Sequence, residues 1–470
     1  MVTVREVETD YLVVGAGASG MAFTDTLLAQ TDADVVLVDR RHRPGGHWLD
    51  AYPFVRLHQP SAYYGVNSRR LGDDRIDDSG PNAGFYERAT AAEICDYFSR
   101  VLDDDLLPTG RVRFLDMSEY RGGGGTAHHV VSRLDGAETL VRVRRRVVDA
   151  TYVESEVPSR HVPDFSVDDG VRLIPPNDLV DLAEPADRFT VIGAGKTAMD
   201  TCNWLLDVGV DPDRIRWIRG RDPWLFDRSS TQPLEMVGGW MQLQARWVEA
   251  AATAEDGMDF ARRLEDAGLF VRLDLAVEPL AFRGATVSAR ELESLRAIDH
   301  VVLARRVRRI TQTKITTEGG DVPGSQREVY VDCTAAGVRP TAPRPVFEPG
   351  RVTVQYVTVG LVPWSAATIG FVESIGIDDE EKNRLCPPVV FSGDVADILR
   401  LAHAGMKGQT ARAANSAVAA WNRASRLNPA GAAADHGDDP RVAEALSSMR
   451  MHTEAALQNL ERRAIIGSVP

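Results

Sequence analysis

The stretch Tyr11-Leu12-Val13-Val14-Gly15-Ala16-Gly17-Ala18-Ser19-Gly20 decides the fold of this chain. A short apolar run, the right length for a buried strand, ends on GxGxxG and passes into a helical pattern. The first glycine permits the tight turn and the second lets a pyrophosphate approach the backbone. The third lets helix pack on strand, with the helix N-terminus facing the phosphates. The same design recurs at Phe189-Thr190-Val191-Ile192 followed by Gly193-Ala194-Gly195-Lys196-Thr197-Ala198. One such motif is weak, because glycine-rich turns are common. Two, each followed by a second strand with a distinctive last residue, predict two dinucleotides and electron transfer between them.

The last residues differ in charge. Val35-Val36-Leu37-Val38 ends on Asp39, at about the spacing of a ribose-binding carboxylate. A carboxylate there wants a free 2′-hydroxyl, so the first site reads as FAD, with Gly15, Gly17, Ser19, Gly20 and Asp39 as ligands. Ile215-Arg216-Trp217-Ile218 ends on Arg219-Gly220-Arg221. Arginine pairs with a 2′-phosphate that a carboxylate would repel. The second site therefore reads as NADPH, with Gly193, Gly195, Arg219 and Arg221 as ligands; the alternative is a solvated strand end. Lys196 and Thr197, at the start of the following helix, either touch the phosphates or decorate its surface.

At 470 residues the chain exceeds one ordinary core, and its 44% apolar and 26% charged composition is that of a globular protein. The formal net charge of -14 disfavours nucleic acid and anionic membrane as partners. Cys95, Cys202, Cys333 and Cys386 are scattered, which argues against a disulfide framework or a metal site and fits a reducing cytosol. The first strand begins too early for a signal peptide, and no apolar run is long enough to span a bilayer. A cytoplasmic protein is expected.

Along the chain, Thr90 and Glu93 predict a capping box opening a helix to about Leu102. Val141-Arg142-Val143-Arg144 reads as a strand with a solvated face. Prolines 158 and 163 mark a crossover. Tyr330-Val331-Asp332-Cys333 suits a return to the first domain. Val389-Val390-Phe391-Ser392-Gly393-Asp394 reads as strand then turn, followed by a long helix over about 405–421. A final amphipathic helix carries a stripe from Val442 to Leu460 that packs on the parent fold or on a second copy, so a homodimer stays open. The expected architecture is α/β: two Rossmann-like dinucleotide-binding domains, the NADPH domain inserted into the FAD domain, with a C-terminal helical extension. The expected boundaries are 1–153 and 330–428 for the FAD domain, 154–329 for the NADPH domain and 429–470 for the linker and last helix.

These residues resemble the two-dinucleotide-domain flavoproteins, especially the flavin-containing, N-hydroxylating and Baeyer–Villiger monooxygenases. The likeness covers roughly residues 8–425 and rests on both glycine turns, on Asp39-Arg40-Arg41 with Gly45-Gly46-His47-Trp48, and on Gly393-Asp394. The GG-x-W loop is the most discriminating. The resemblance implies that Arg40, Gly46, His47 and Trp48 contact FAD, Trp48 as an aromatic wall, and that Gly393 and Asp394 hold the ribityl chain. Two departures stand out. No cysteine pair follows the first turn, unlike the flavin disulfide reductases. The FxGxxxH fingerprint is also missing; its nearest counterpart is Pro163-Asp164-Phe165-Ser166-Val167.

The resemblance further implies NADPH consumption and oxygen transfer through a flavin hydroperoxide to a small molecule. Candidates include N-oxygenation of a polar amine or amino acid such as aspartate. His58, Gln59 and Ser61 lie where related enzymes place residues beside the flavin's oxygen-reacting edge; the alternative is a polar turn. Trp224, Phe226, Arg228 and Gln232 either line the inter-domain cleft or pack ordinarily. The competing function is an NADPH-dependent flavin reductase or dehydrogenase passing electrons to a quinone or partner protein.

Overall fold

The computed structural model describes residues 5–153 and 155–466, with side chains to residue 463. Residue 154, where the second domain is expected to begin, lies outside the described residues. Alternating and apolar runs near the N-terminus form β1 (Arg5–Val14), β2 (Val35–Val38), β3 (Val112–Leu115), β4 (Ser118–Gly124), β5 (Ala127–Ser132) and β6 (Glu138–Asp149). Much later, β12 (Phe347–Glu348) and β13 (Arg351–Thr353) join the same sheet, in the order β12-β13-β6-β1-β2-β3 with the β4–β5 hairpin on β6. The neighbours β13-β6-β1-β2-β3 are parallel. Helix α1 (Ala18–Gln30) leaves the first glycine turn and packs on α5 (Val362–Ser374). Their crossing is tight: a Cβ on Gly370 would lie 2.9 Å from the Phe23 carbonyl oxygen.

A second, wholly parallel sheet runs β10-β9-β8-β11-β7, with β7 at Arg172–Ile174, β8 at Arg188–Ile192, β9 at Ile215–Arg219, β10 at Val301–Leu303 and β11 at Glu328–Asp332. Helix α3 (Lys196–Asp207) follows β8 through the second glycine turn. The chain thus builds one glycine-turn sheet, inserts another, and returns to the first.

The capping box forms as read. Thr90 Oγ1 accepts from the Glu93 N–H at 3.3 Å, Glu93 returns the bond, and α2 spans Ala91–Arg100 before widening over Val101–Leu106. Arg142 and Arg144 pair with Glu6, Asp10 and Asp34 on an exposed strand face.

Three expectations need correction. Tyr330–Asp332 do not return to the first sheet; they lie in β11, beside β8, with Ile192 opposite Asp332. The return comes later, at β13, because the apolar strand end is claimed by the nearer sheet. Val389–Ser392 form no strand: the Val389 N–H donates to the Tyr356 carbonyl at 2.7 Å but no ladder follows, and Asp394 makes an isolated bridge to Ala281. The long helix is two, α6 (Ile398–Ala414) and α7 (Ser416–Ala424), divided at Asn415, whose side chain accepts from the Val418 N–H at 3.2 Å. Asparagine competes with helix interior and favours the cap.

The terminal helix α8 (Pro440–Ile466) packs on α4 (Val237–Thr253) and α6 of its own chain, with Val442, Ala456 and Leu460 at 0% exposure. Asn459 donates to the Ala251 and Ala254 carbonyls that end α4. No helix among the described residues is long and apolar enough to cross a membrane.

Candidate active site

At the first turn, the Gly15 N–H donates to the Val38 carbonyl at 2.8 Å, and Gly15 takes φ 101°. A Cβ on Gly20 would lie 1.8 Å from the Gly15 carbonyl oxygen, so only glycine lets α1 start so close to β1. Gly17 faces Gly46: a Cβ on Gly46 would stand 2.9 Å from the Gly17 Cα. Two bare backbones therefore meet at the floor of a cleft of about 280 Å³, which Ser19, Asp39, Arg40 and His47 also line. The Asp39 carboxylate is oriented by backbone, accepting from Ala16 N–H at 2.7 Å and Arg41 N–H at 2.8 Å. Burial, then the Arg41 charge, push the His47 imidazole down to about 4, so it is neutral at pH 7.

Other expected residues stand elsewhere. Trp48 sits one layer back, donating its indole N–H to the Tyr64 hydroxyl at 2.7 Å, and Tyr64 presents the ring to the cleft. Gly393 and Asp394 do not line the cleft at all. They pair with the strand Ala281–Val287: the Phe282 N–H donates to the Gly393 carbonyl, and the Val395 N–H to that of Leu280. The third wall is instead Val354-Gln355-Tyr356, just after β13, with Val362 at the start of α5. Sequence reasoning missed this wall because it carries no Gly-Asp pair; the strand-to-helix passage into Val362 was the available signal.

The second turn repeats the first in its backbone. The Gly193 N–H donates to the Ile218 carbonyl at 3.0 Å, and a Cβ on Gly193 would lie 2.6 Å from the Cys333 carbonyl oxygen. A Cβ on Gly195 would meet nothing within 4 Å. The side chains are arranged differently from expectation. Arg219 is 4% exposed, its guanidinium lying 5.0 Å over the Trp217 ring and pairing with Asp222 at 3.5 Å. It points into the protein because Trp217 and Asp222 hold it there. Arg221 is exposed and faces Asp394 at 3.5 Å. Lys196 turns inward to Asp200 rather than out to solvent. Thr197 shares the first turn of α3 with it.

The two turns are joined by one loop. Beyond Gly46, the Tyr52 hydroxyl donates to Asp200 Oδ2 at 2.8 Å, and Phe54 stacks on Trp204 of α3 at 4.8 Å. His58 comes next, its carbonyl accepting from Thr286 Oγ1 at 2.6 Å. Burial, then Lys196, push its imidazole down to about 4. Gln59 is half-buried beside it. Ser61 is 1% exposed and its oxygen accepts from the Ala89 N–H at 2.8 Å, so it tethers the loop and does not face the cleft. Behind the loop, Glu291 bridges Arg88 at 3.2 Å and Arg228 at 2.5 Å. Gln232 accepts from the Tyr86 N–H at 3.0 Å. Arg228 and Gln232 thus bind the inserted unit to the first, whereas Trp224 and Phe226 pack with Phe270, Phe282 and Trp247 as core.

Known proteins agree with this architecture. The NAD(P)-binding Rossmann-like domain family matches residues 13–65. The open crystal structure of cyclohexanone monooxygenase is similar with a TM-score of 0.51 and 16% identity, over 87% of this chain and 98% of that one. Oxidized steroid monooxygenase bound to NADP gives 0.50 and 14%, over 78% and 85%. The fold is that of the two-dinucleotide-domain flavoprotein monooxygenases. Two mycobacterial chains, the uncharacterized proteins Rv2000 of Mycobacterium tuberculosis and Mb2023 of Mycobacterium bovis, are each 46% identical to this one over 426 residues, or 90% of this chain and 78% of theirs. The chain belongs to their family.

Proposed function

We propose that this protein is an FAD-dependent, NADPH-consuming monooxygenase acting on a small molecule. The observation that carries the reading is the single loop, Gly45 to Ser61, that floors the first cleft and then bonds through Tyr52 to the helix of the second turn. Two dinucleotide units of opposite charge preference, Asp39 at one and Arg221 at the other, share that loop. FAD fits the first: two facing glycine backbones leave room for a pyrophosphate, and the buried Asp39 carboxylate is held ready for ribose hydroxyls. NADPH fits the second through Gly193, Gly195 and Arg221, with Arg219 supporting the strand end from inside. A bound flavin would supply hydride acceptance and oxygen activation.

The chain's own residues bind, orient and exclude water. His58 and Gln59 offer neutral polar groups at the junction, where neither competes for a proton at pH 7. The substrate reading we favour is a small polar amine or amino acid, aspartate among the candidates, to which the His58 imidazole and the half-buried Gln59 offer hydrogen-bonding groups. The four free cysteines are buried, which accords with a reducing cytosol.

The test is a yellow purified protein, assayed for NADPH and oxygen consumption against amines, amino acids, sulfides and ketones. Product formed in step with both supports the proposal. Rapid quinone reduction with no oxygen incorporated would replace it with the electron-transfer reductase.

A further inference from the structure

One group of charges belongs neither to the first cleft nor to the junction loop. Arg283 projects from the strand Ala281–Val287, and its guanidinium donates to the Ala336 carbonyl at 2.7 Å. Ala336 follows β11, on one side of β8. Arg221 follows β9, on the other side, and the two arginines meet at one chain segment: Arg283 lies against Gly393, and Arg221 faces the next residue, Asp394, at 3.5 Å. The strands are parallel, so the ends of β9 and β11 flank the end of β8, where Gly193-Ala194-Gly195 turns, and the two arginines stand on the segments that leave or meet those flanks. Among the described residues Arg283 has no ion-pair partner, and the carboxylate beside Gly393, Asp394, faces Arg221. The arginine lies flat on Gly393, whose added Cβ would fall 3.1 Å from its Nε. Gly393 and Asp394, which the resemblance puts at the flavin, stand instead against Arg283 and Arg221.

We propose that Arg283 is a pyrophosphate ligand of the second dinucleotide site, and that Asp394 is the internal anion that Arg221 exchanges for the cofactor's 2′-phosphate. The inference rests on the NADPH reading above and adds two residues to it. Gly393 is a glycine because a side chain would lift Arg283 off its seat. The Asp394 carboxylate also accepts from the Ala396 N–H at 3.0 Å, a bond that asparagine would keep. Charge and cap are thus separable.

The experiment is calorimetric titration of the FAD-loaded protein with NADP+ and with NAD+. A charge-assisted phosphate contact is worth roughly tenfold to a hundredfold in affinity. Arg283→Ala should weaken both ligands by the same factor, because both carry the pyrophosphate, and Arg283→Lys should recover part of the loss. Arg221→Ala should weaken NADP+ alone. Asp394→Asn should tighten NADP+ and leave flavin content unchanged. An Arg283→Ala protein with parental NAD+ affinity overturns the pyrophosphate assignment. Flavin loss in Asp394→Asn overturns the anion-exchange role and returns Gly393-Asp394 to the first site. A parent protein that binds neither nucleotide sinks the proposed function itself, a result distinct from either of these.

Discussion

The two glycine turns share a backbone and differ in what surrounds it. In both, the first glycine donates to the strand beyond, Gly15 to Val38 and Gly193 to Ile218, and the second accepts from the helix, Gly17 from Met21 and Gly195 from Met199. At the third small residue they part. Gly20 sits against the Gly15 carbonyl with no room for a methyl group, whereas its counterpart Ala198 is buried without difficulty. The first turn is closed by a second glycine backbone, Gly46, and served by a carboxylate that two N–H groups hold in place. The second is open above Gly195, with Arg219 folded inward and only Arg221 exposed beyond the neighbouring strand. A motif read locally fixes where a phosphate can approach; what else the dinucleotide meets depends on segments far away in sequence.

The largest expected effect breaks the first turn alone. Gly17→Val should give colourless protein, since the side chain would enter the space that Gly17 shares with Gly46. Gly20→Ala should cost about 3 kcal/mol or more, because its methyl group meets backbone that cannot move without shifting β1 or α1. Thermal denaturation and flavin absorbance read both effects. Retention of full flavin by Gly17→Val would remove FAD from this site.

Next comes the join between the two units. Glu291 lies between Arg88 and Arg228, buried with them, and both arginine Nε atoms lack partners. Glu291→Gln leaves two buried cations without their shared carboxylate and should cost about 3 kcal/mol. The same group predicts a pH effect. Burial raises its pKa, but Lys196, Arg228 and Arg88 outweigh that and hold it down to about 2 from 4.5. A depressed folded-state value means stability is present in full above about pH 4.5 and is lost as pH falls towards 2, in all about 3 kcal/mol. Melting temperatures over that range should fall more steeply in the parent than in Glu291→Gln. Parallel curves would show that the group does not titrate with folding.

At the second turn, Arg221→Ala should raise KM for NADPH over that for NADH by about 1.5–3 kcal/mol, roughly tenfold to more than a hundredfold. Arg219→Ala should instead lower the melting temperature and leave the coenzyme ratio alone, because Arg219 is committed to Trp217 and Asp222. Equal ratios in the two variants would undo that division of labour. The smallest effect is at Gly195, where φ is -81° and nothing stands within 4 Å. Gly195→Ala should change stability by no more than about 0.5 kcal/mol, yet weaken NADP+ binding if the pyrophosphate lies on that backbone. Titration calorimetry beside a melting curve separates the two.

Much of the frame was legible in sequence. Short apolar runs ending in GxGxx(G/A) state strand, turn and helix together, and the Thr90–Glu93 capping box announces its helix within a few residues. Errors gathered where a segment had to choose among distant partners. Tyr330–Asp332 has the composition of a returning strand, but β8 lay open beside it. Val389–Ser392 has strand composition and no edge to join. The resemblance puts Asp394 at the ribityl chain, yet the bonds of Gly393 to Phe282 and of Val395 to Leu280 hold it beside the strand Ala281–Val287 and away from the first cleft.

By itself the sequence determined the two turns, their order and the charge at the end of each second strand, because those depend on backbone sterics and neighbours a few residues apart. Only the tertiary structure decided which charged side chains face a cleft. Spacing puts Arg219 at a 2′-phosphate and leaves Lys196 open between the phosphates and the helix surface, and both are buried in ion pairs. A long side chain can point along its strand or back into the protein. The choice between them is set by carboxylates and aromatic rings that folding brings from elsewhere: Asp274 for Arg219, and Tyr52, through Asp200, for Lys196.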